Sequence, residues 1–301
     1  MALKLPRHDR YDYSPLPERK DYDWPGGKRL AFTITTNVEV FAFGAGLGHD
    51  PAKTGEAQTQ RNYAWRDYGN RVGIWRLFEL ADELSLPLAH NTNSLLYDYC
   101  PQIMEAMRKR GDEIVAHGRT NAENLRGLWE ADEERVIREV TDTFARHEAV
   151  RPYGWMGSGA YETSHTPDLL KEAGYKYLMD WPMDDQPVWM RTRAGPILSV
   201  PYPVELNDSQ QNIHRKHSAR EFCDMLVDQF DEMIDQCERH PLVMNVSIHP
   251  YVFGQPFRLR PLRTALRHCL QHSQSARVWW CKPIEIADHC YAMPPGIIPG
   301  N

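Results

Sequence analysis

From Gly73 onward, short β-prone runs and amphipathic helical stretches follow one another with no break in composition. Ile74-Trp75-Leu77-Phe78-Leu80 has helical spacing, Leu86 to His90 is strand-like, Pro101 to Arg110 is helical and Glu113 to Ala116 is strand-like again. Helices are expected at Glu130 to His147, Pro167 to Ala173, Ala219 to Glu238 and Leu262 to His272. Strands are expected at Tyr175 to Met179, Ile197 to Pro201, Val243 to Ile248 and Val278-Trp279-Trp280, with one more helix at the end. Parallel strands need a long crossover, and a helix is the usual one, so this alternation specifies a single α/β domain built on a parallel sheet.

Upstream, Leu30 to Thr36 is a compact β-prone run, consistent with a first buried strand. The segment before it, rich in Pro, Asp, Tyr and Arg, ends in Trp24-Pro25-Gly26-Gly27 and is read as an arm on the surface. Phe41 to Tyr68 is glycine-rich and polar, with no sustained period, and is read as a long lid or binding loop.

The 301 residues carry a formal charge of −6 without a basic stripe, which argues against nucleic acid as a partner. The N-terminal stretch lacks the apolar core of a secretory signal, and no window resembles a membrane span, so a cytoplasmic protein with no membrane partner is expected. The cysteines at 100, 223, 237, 269, 281 and 290 include no C-x-x-C pair and read as free structural thiols.

In parallel barrels the loops that follow the strands converge at one face, so polar residues at strand ends are the place to look for chemistry. That search returns Asn37 and Glu39, His117 with Asn121, Asp180, Glu205 with Asn207 and Asp208, and His249. A carboxylate converging with two histidines is what general acid–base hydrolysis requires. His165, His214, His217, His268, His272 and His289 lie in helical or loop contexts and read as structural.

Several segments in order, from Trp24 to His289, carry a family resemblance. They are Trp24-Pro25-Gly26-Gly27, Tyr68-Gly69, Gly73-Ile74-Trp75-Arg76-Leu77 and Glu113-Ile114-Val115-Ala116-His117-Gly118. Arg151-Pro152-Tyr153-Gly154-Trp155, Asp184-Asp185-Gln186-Pro187-Val188-Trp189, Val200-Pro201-Tyr202 with Asn207-Asp208, and Val246-Ser247-Ile248-His249 complete the series. Together they resemble the polysaccharide deacetylase superfamily, and within it the metal-independent allantoinases and related cyclic-imide hydrolases. The resemblance implies a single-domain distorted (β/α) barrel, with residues 1–28 as an N-terminal arm, 29–292 as the catalytic barrel and 293–301 as a tail. It also implies a groove at the strand C-termini, with Trp155 and Trp189 at positions that line it.

Deacetylases of this superfamily hold a metal with an aspartate and two histidines four residues apart. Here the motif reads His117-Gly118-Arg119-Thr120-Asn121, with asparagine where the partner histidine would stand, and Asn37-Val38-Glu39-Val40 offers one carboxylate in place of two. A zinc site needs at least three protein ligands. Glu39 and His117 supply two and the amide oxygen of Asn121 would be a poor third, so neither a tightly bound metal nor another cofactor is expected.

The resemblance then implies hydrolysis of a C–N bond in a small cyclic amide, imide or ureide. Glu39 would be the base, its pKa raised by burial, and His249 the acid that protonates the leaving nitrogen. His117 would orient water or donate to the oxyanion, with Asn37 and Asn121 as neutral partners. Glu39 stands either at the base position or at the former metal-ligand position. Asp180, Glu205, Asn207 and Asp208 are candidates for substrate contact. Met156-Gly157-Ser158-Gly159 lacks the Tyr and Arg that allantoinase-like relatives carry there, so a related but different substrate is expected. The alternatives are an N-deacetylase of an amino sugar or peptidoglycan-type substrate, and a catalytically inactive binding protein on the same barrel. A homo-oligomer, specifically a tetramer, is expected from the arm and the Phe41 to Tyr68 segment.

Overall fold

Side-chain alternation along Leu30–Val38 (β1) sorts the core into two layers. Leu30, Phe32, Ile34 and Val38 join the large apolar cluster, while Ala31 joins a second one. Thr33, Thr35 and Asn37, on the same face as Ala31, are buried polar residues. The apolar run of the sequence therefore hides a polar inner stripe that leads up to the site. The structure is a computed structural model and describes Leu5 and residues 7–44 and 59–300.

Eight further strands follow: Ala89–Thr92 (β2), Glu113–Ala116 (β3), Gly154–Trp155 (β4), Tyr177–Leu178 (β5), Val188–Met190 (β6), Ile197–Ser199 (β7), Leu242–Ile248 (β8) and Val278–Trp280 (β9). They form one sheet in the order β6-β7-β5-β4-β3-β2-β1-β8, with β9 also on β1. All neighbours are parallel except β6 and β7. β1 is long enough to pair with β9 through Leu30–Phe32 and with β2 through Thr35–Val38, while β8 pairs with Leu30–Thr36. The curled sheet is drawn together between β7 and β8 by a bridge from Asn207 to Ser247, where Ser247 N donates to Leu206 O at 2.9 Å. This is the distorted (β/α) barrel expected from the sequence.

The helices are Gln60–Tyr68 (α1), Ile74–Leu84 (α2), Leu96–Tyr99 (α3), Pro101–Arg110 (α4), Glu130–His147 (α5), Thr166–Glu172 (α6), Ala219–Gln236 (α7), Pro250–Phe253 (α8), Pro256–Gln271 (α9) and Pro283–Ala292 (α10). Local signals set their ends. α4 starts at Pro101 and stops at Gly111, whose φ of 72° is left-handed. α7 opens with a reciprocal capping box between Ser218 and Glu221. α5 carries Glu130, Asp132 and Glu133 in its first turn and Arg146 and His147 in its last, in keeping with its dipole.

Four expectations are corrected. The part of Phe41 to Tyr68 read as loop contains α1, capped by Thr59, whose side chain accepts from Asn62 N. Its buried residues are the polar Asn62 and Arg66, so no apolar stripe announces it, and residues 45–58 of that expectation lie outside the described residues. The strand expected at Leu86 to His90 is β2, shifted to Ala89–Thr92. α9 begins six residues earlier than expected and runs through Pro261. β6 is an antiparallel edge strand that the sequence reading did not include.

The arm is pinned to the barrel. Trp24 is buried and donates from Nε1 to Leu242 O at 3.1 Å, Arg10 pairs with Asp168 at 2.6 Å, and Arg19 pairs with Asp184 at 2.5 Å. No helix among the described residues is long and apolar enough to cross a membrane.

Candidate active site

Glu39 follows β1 directly, His117 follows β3 and His249 follows β8, so parallel strands bring three distant residues to one rim. Glu39 Oε1 lies 3.6 Å from His117 Nε2 and 3.6 Å from His249 Nε2, and it accepts from Asn121 Nδ2 at 2.5 Å. Together with Asn37, Asp180 and Asn207 these side chains line a cavity of about 520 Å³.

The backbone around Glu39 is held from several sides. Asn93 accepts from Val40 N at 2.8 Å and donates to His117 O at 2.5 Å, which ties the end of β1 to the end of β3. Asn70 donates to Glu39 O at 2.8 Å, and Thr120 donates to Val40 O at 2.6 Å. Beneath the carboxylate, Asn37 donates to Ser247 Oγ at 2.9 Å and accepts from Asn91 at 2.9 Å and from Tyr202 OH at 3.1 Å. Both polar atoms of Asn37 are thus engaged in the floor of the cavity.

The two histidines are fixed differently. His249 Nδ1 bonds to Asp208 Oδ1 at 2.6 Å, and its backbone N donates to Asp208 Oδ2 at 2.8 Å, so Nε2 faces the cavity. His117 bonds through Nδ1 to Met156 O at 2.5 Å. His117 Nε2 and Glu39 Oε2 are buried with no hydrogen-bond partner among the described residues. Those two atoms mark where a polar substrate or water belongs, because leaving buried polar groups unpaired is costly.

Burial alone would push the Glu39 carboxyl up, but the charges of His249, His117 and Arg66 hold it below the ordinary glutamate range. The expectation of a base raised toward neutrality is corrected on this point. For His249 burial acts to lower the pKa, but Asp208 and Glu39 outweigh it and raise it. Asp208 itself is raised by burial against the pull of His249. The surroundings thus favour the carboxylate form of Glu39 and the protonated form of the imidazole that faces it.

Other sequence candidates are placed elsewhere. Trp155 is fully buried in the large core, edge-on to Tyr175, because the last residue of β4 points outward to the helices. Trp189 on β6 packs against Tyr291 in the second cluster. The Glu205 side chain is exposed and pairs with Arg215; it borders a separate cavity of about 470 Å³ near the β7–β8 seam. Asp208 stands behind His249 and does not line the cavity itself.

The wall also contains residues that the sequence reading passed over. Arg66 on α1 lies over the Phe41 ring at 3.9 Å and was hidden by the reading of its segment as loop. It places an arginine in the cavity although Met156-Gly157-Ser158-Gly159 has none. His214, read as structural, lines the cavity, as do Tyr161, Tyr202 and Tyr251. Asn93 was missed because β2 ends at Thr92 and not at His90, so the strand-end search looked in the wrong place.

The residues do not fit the metal centre that the resemblance attributes to deacetylases. Among the described residues no group of three or more His, Cys, Asp or Glu side chains is placed to hold an ion. At the position of the partner histidine, Asn121 turns its amide donor to Glu39.

No family model matches the chain. A "Putative polysaccharide deacetylase" of Schizosaccharomyces pombe is 23% identical over 260 residues, covering 81% of this chain and 80% of that protein. Among solved structures, PuuE allantoinase superposes with a TM-score of 0.81 at 25% identity, covering 97% of this chain and 99% of the other. A protein described as a "probable Polysaccharide deacetylase" from Pseudomonas aeruginosa PAO1 superposes with a TM-score of 0.80 at 24% identity, covering 94% and 96% of the two chains.

Proposed function

We propose that the chain, which shares its fold with an allantoinase and resembles a polysaccharide-deacetylase-like protein in sequence, is a member of the polysaccharide deacetylase superfamily and a hydrolase of a C–N bond in a small cyclic amide, imide or ureide. The observation that carries the reading is Glu39 Oε1 between His117 Nε2 and His249 Nε2 at 3.6 Å each, with Glu39 Oε2 buried and without a hydrogen-bond partner among the described residues.

Water bound at Glu39 Oε2 and His117 Nε2 attacks the ring carbonyl carbon, and Glu39 takes its proton. The new C–O bond leaves negative charge on the carbonyl oxygen. His249 Nε2–H then protonates the ring nitrogen as the C–N bond breaks, and the proton on Glu39 resets the pair. Asp208 keeps His249 oriented and protonated for that second step. Arg66 supplies positive charge beside Glu39 that suits an anionic or strongly polarised ring.

The test is a hydrolysis screen with metal-analysed protein against allantoin, hydantoin, dihydropyrimidines, succinimide and maleimide, with N-acetylated amino sugars in parallel. Ring opening that persists in chelator, with well under one equivalent of bound transition metal, is expected. Turnover confined to acetamido sugars, or abolished by chelation and restored by metal, overturns the reading.

A further inference from the structure

Barrels of parallel strands ordinarily fill their interior with bulky branched side chains. Here Ala31, Thr33 and Thr35 on the inner stripe of β1 face Val243, Asn245 and Ser247 of β8 in register, and Ala89 of β2 stands beside Thr35. Apart from Val243 these side chains are small or polar, and they form a ladder that ends at Asn37 beneath Glu39. Its rungs are hydrogen-bonded: Thr35 Oγ1 donates to Asn245 Oδ1 at 3.0 Å, Asn37 Nδ2 donates to Ser247 Oγ at 2.9 Å, and Tyr202 OH lies 2.5 Å from Ser247 Oγ. Yet Thr33 Oγ1, Asn245 Nδ2 and Asn91 Oδ1 are buried with no hydrogen-bond partner among the described residues. Thr33 is opposite Asn245, and Asn91 is opposite Asn37, so the unpaired atoms lie at both ends of the ladder.

The ladder also meets the outside. The cavity of about 470 Å³ at the β7–β8 seam is lined by Asn245, which is 5% exposed, and by Met233 and the exposed Gln229 of α7. It shares Tyr202, Pro203 and Val204 with the cavity that holds Glu39. Unpaired buried polar atoms are costly, and water is the partner small enough to reach them among Ala, Thr and Ser side chains. Water both donates and accepts, so it serves whichever way the Asn245 amide is turned.

We propose that the barrel interior holds ordered water at Thr33, Asn245 and Asn91, and that the β7–β8 seam is a side entrance through which water reaches Glu39 from beneath. The interior water stands on the ladder alone, whereas the supply role rests on the hydrolytic reading above. Each turnover consumes a water, and a ring seated in the Glu39 cavity stops its mouth. Refilling through the seam lets the next water arrive from the opposite side. Thr33 and Asn245 are positioning residues that act through this water.

The experiment has two arms. In a high-resolution crystal structure, water should lie within hydrogen-bond distance of Thr33 Oγ1 and of the free amide atom of Asn245; a dry ladder overturns the proposal. Thr33→Val keeps the shape and removes the hydroxyl, so it should lower Tm by the loss of a bonded water. A Tm equal to or above that of the wild type overturns the hydration, because replacing a dry, unpaired hydroxyl by a methyl is not unfavourable. For the entrance, Gln229→Trp fills the seam mouth from the surface of α7. With the ring that is opened fastest in the screen above, kcat should fall several-fold at unchanged KM, while Gln229→Ala, which leaves the mouth open, should match the wild type. An unchanged kcat in Gln229→Trp overturns the entrance and leaves the interior water. If none of the rings is opened, the hydrolytic reading falls and the supply role falls with it, while the interior water is still decided by the crystal structure and by Thr33→Val.

Discussion

Glu39 is drawn in two directions, by burial toward the neutral acid and by His249, His117 and Arg66 toward the carboxylate, and the charges win. The consequence is a wide working range. Activity needs Glu39 ionised, which holds above its lowered pKa, and His249 protonated, which holds below its raised pKa. The kcat/KM profile is expected to have an acidic limb below the ordinary glutamate range and an alkaline limb above the ordinary imidazole range. Glu39→Gln and His249→Asn should each lower kcat by roughly 10²–10⁴-fold, with substrate binding less affected. If Glu39→Gln keeps near wild-type kcat, the proton leaves by another route and His117 is the base to test. Asp208→Asn removes a main support of the protonated imidazole, so the alkaline limb should move to lower pH; a limb that stays in place would detach Asp208 from the acid.

At the scale of elements, the site depends on how closely one helix approaches one strand end. α1 and α2 run on through a π-turn at Gly69–Gly73, the kind of irregularity that recurs at functional sites. A Cβ on Gly73 would lie 2.0 Å from Pro250 O, and one on Gly69 would lie 2.8 Å from Tyr251 N. The helix therefore rests on the backbone of α8, immediately after His249, and the same turn delivers Asn70 to Glu39 O. Gly73→Ala is expected to destabilise the fold by about 1–3 kcal/mol through forced backbone shifts, seen as a lower Tm. Its kcat should fall as well, because His249 moves with Pro250. A variant with unchanged Tm and kcat would show that the helix and α8 can part without cost.

At the scale of the whole molecule, the arm is bound by buried pairs from Arg10 and Arg19, and Trp189 N donates to Pro299 O at 2.8 Å, so both ends of the chain are laid along the β5–β7 side of the barrel. Exposed Trp129 and Phe257 leave aromatic surface on its outside. We expect a homotetramer, checked by light scattering at micromolar concentration; a monomer there would refute it.

What the sequence determined by itself follows from periodicity and punctuation. α4, β3 and α5 fall on the expected residues because each has a strong local pattern with clear ends: Pro101 and Gly111 around α4, a β-prone run stopping at His117, and an apolar stripe with charged ends in α5. Strand ends carrying Glu39, His117 and His249 could be picked out for the same reason, since parallel strands make their ends meet. Only the tertiary structure decided the rest. α1 buries Asn62 and Arg66, so its helicity and the arginine it brings to the cavity depend on partners distant in sequence. Trp155 was assigned to core by the outward pleat of β4, and Asn93 came to tie the strand ends at the site through a two-residue shift in where β2 ends. The pKa of Glu39 was set the same way, because the sign of a buried carboxylate's shift depends on which charges the fold places around it.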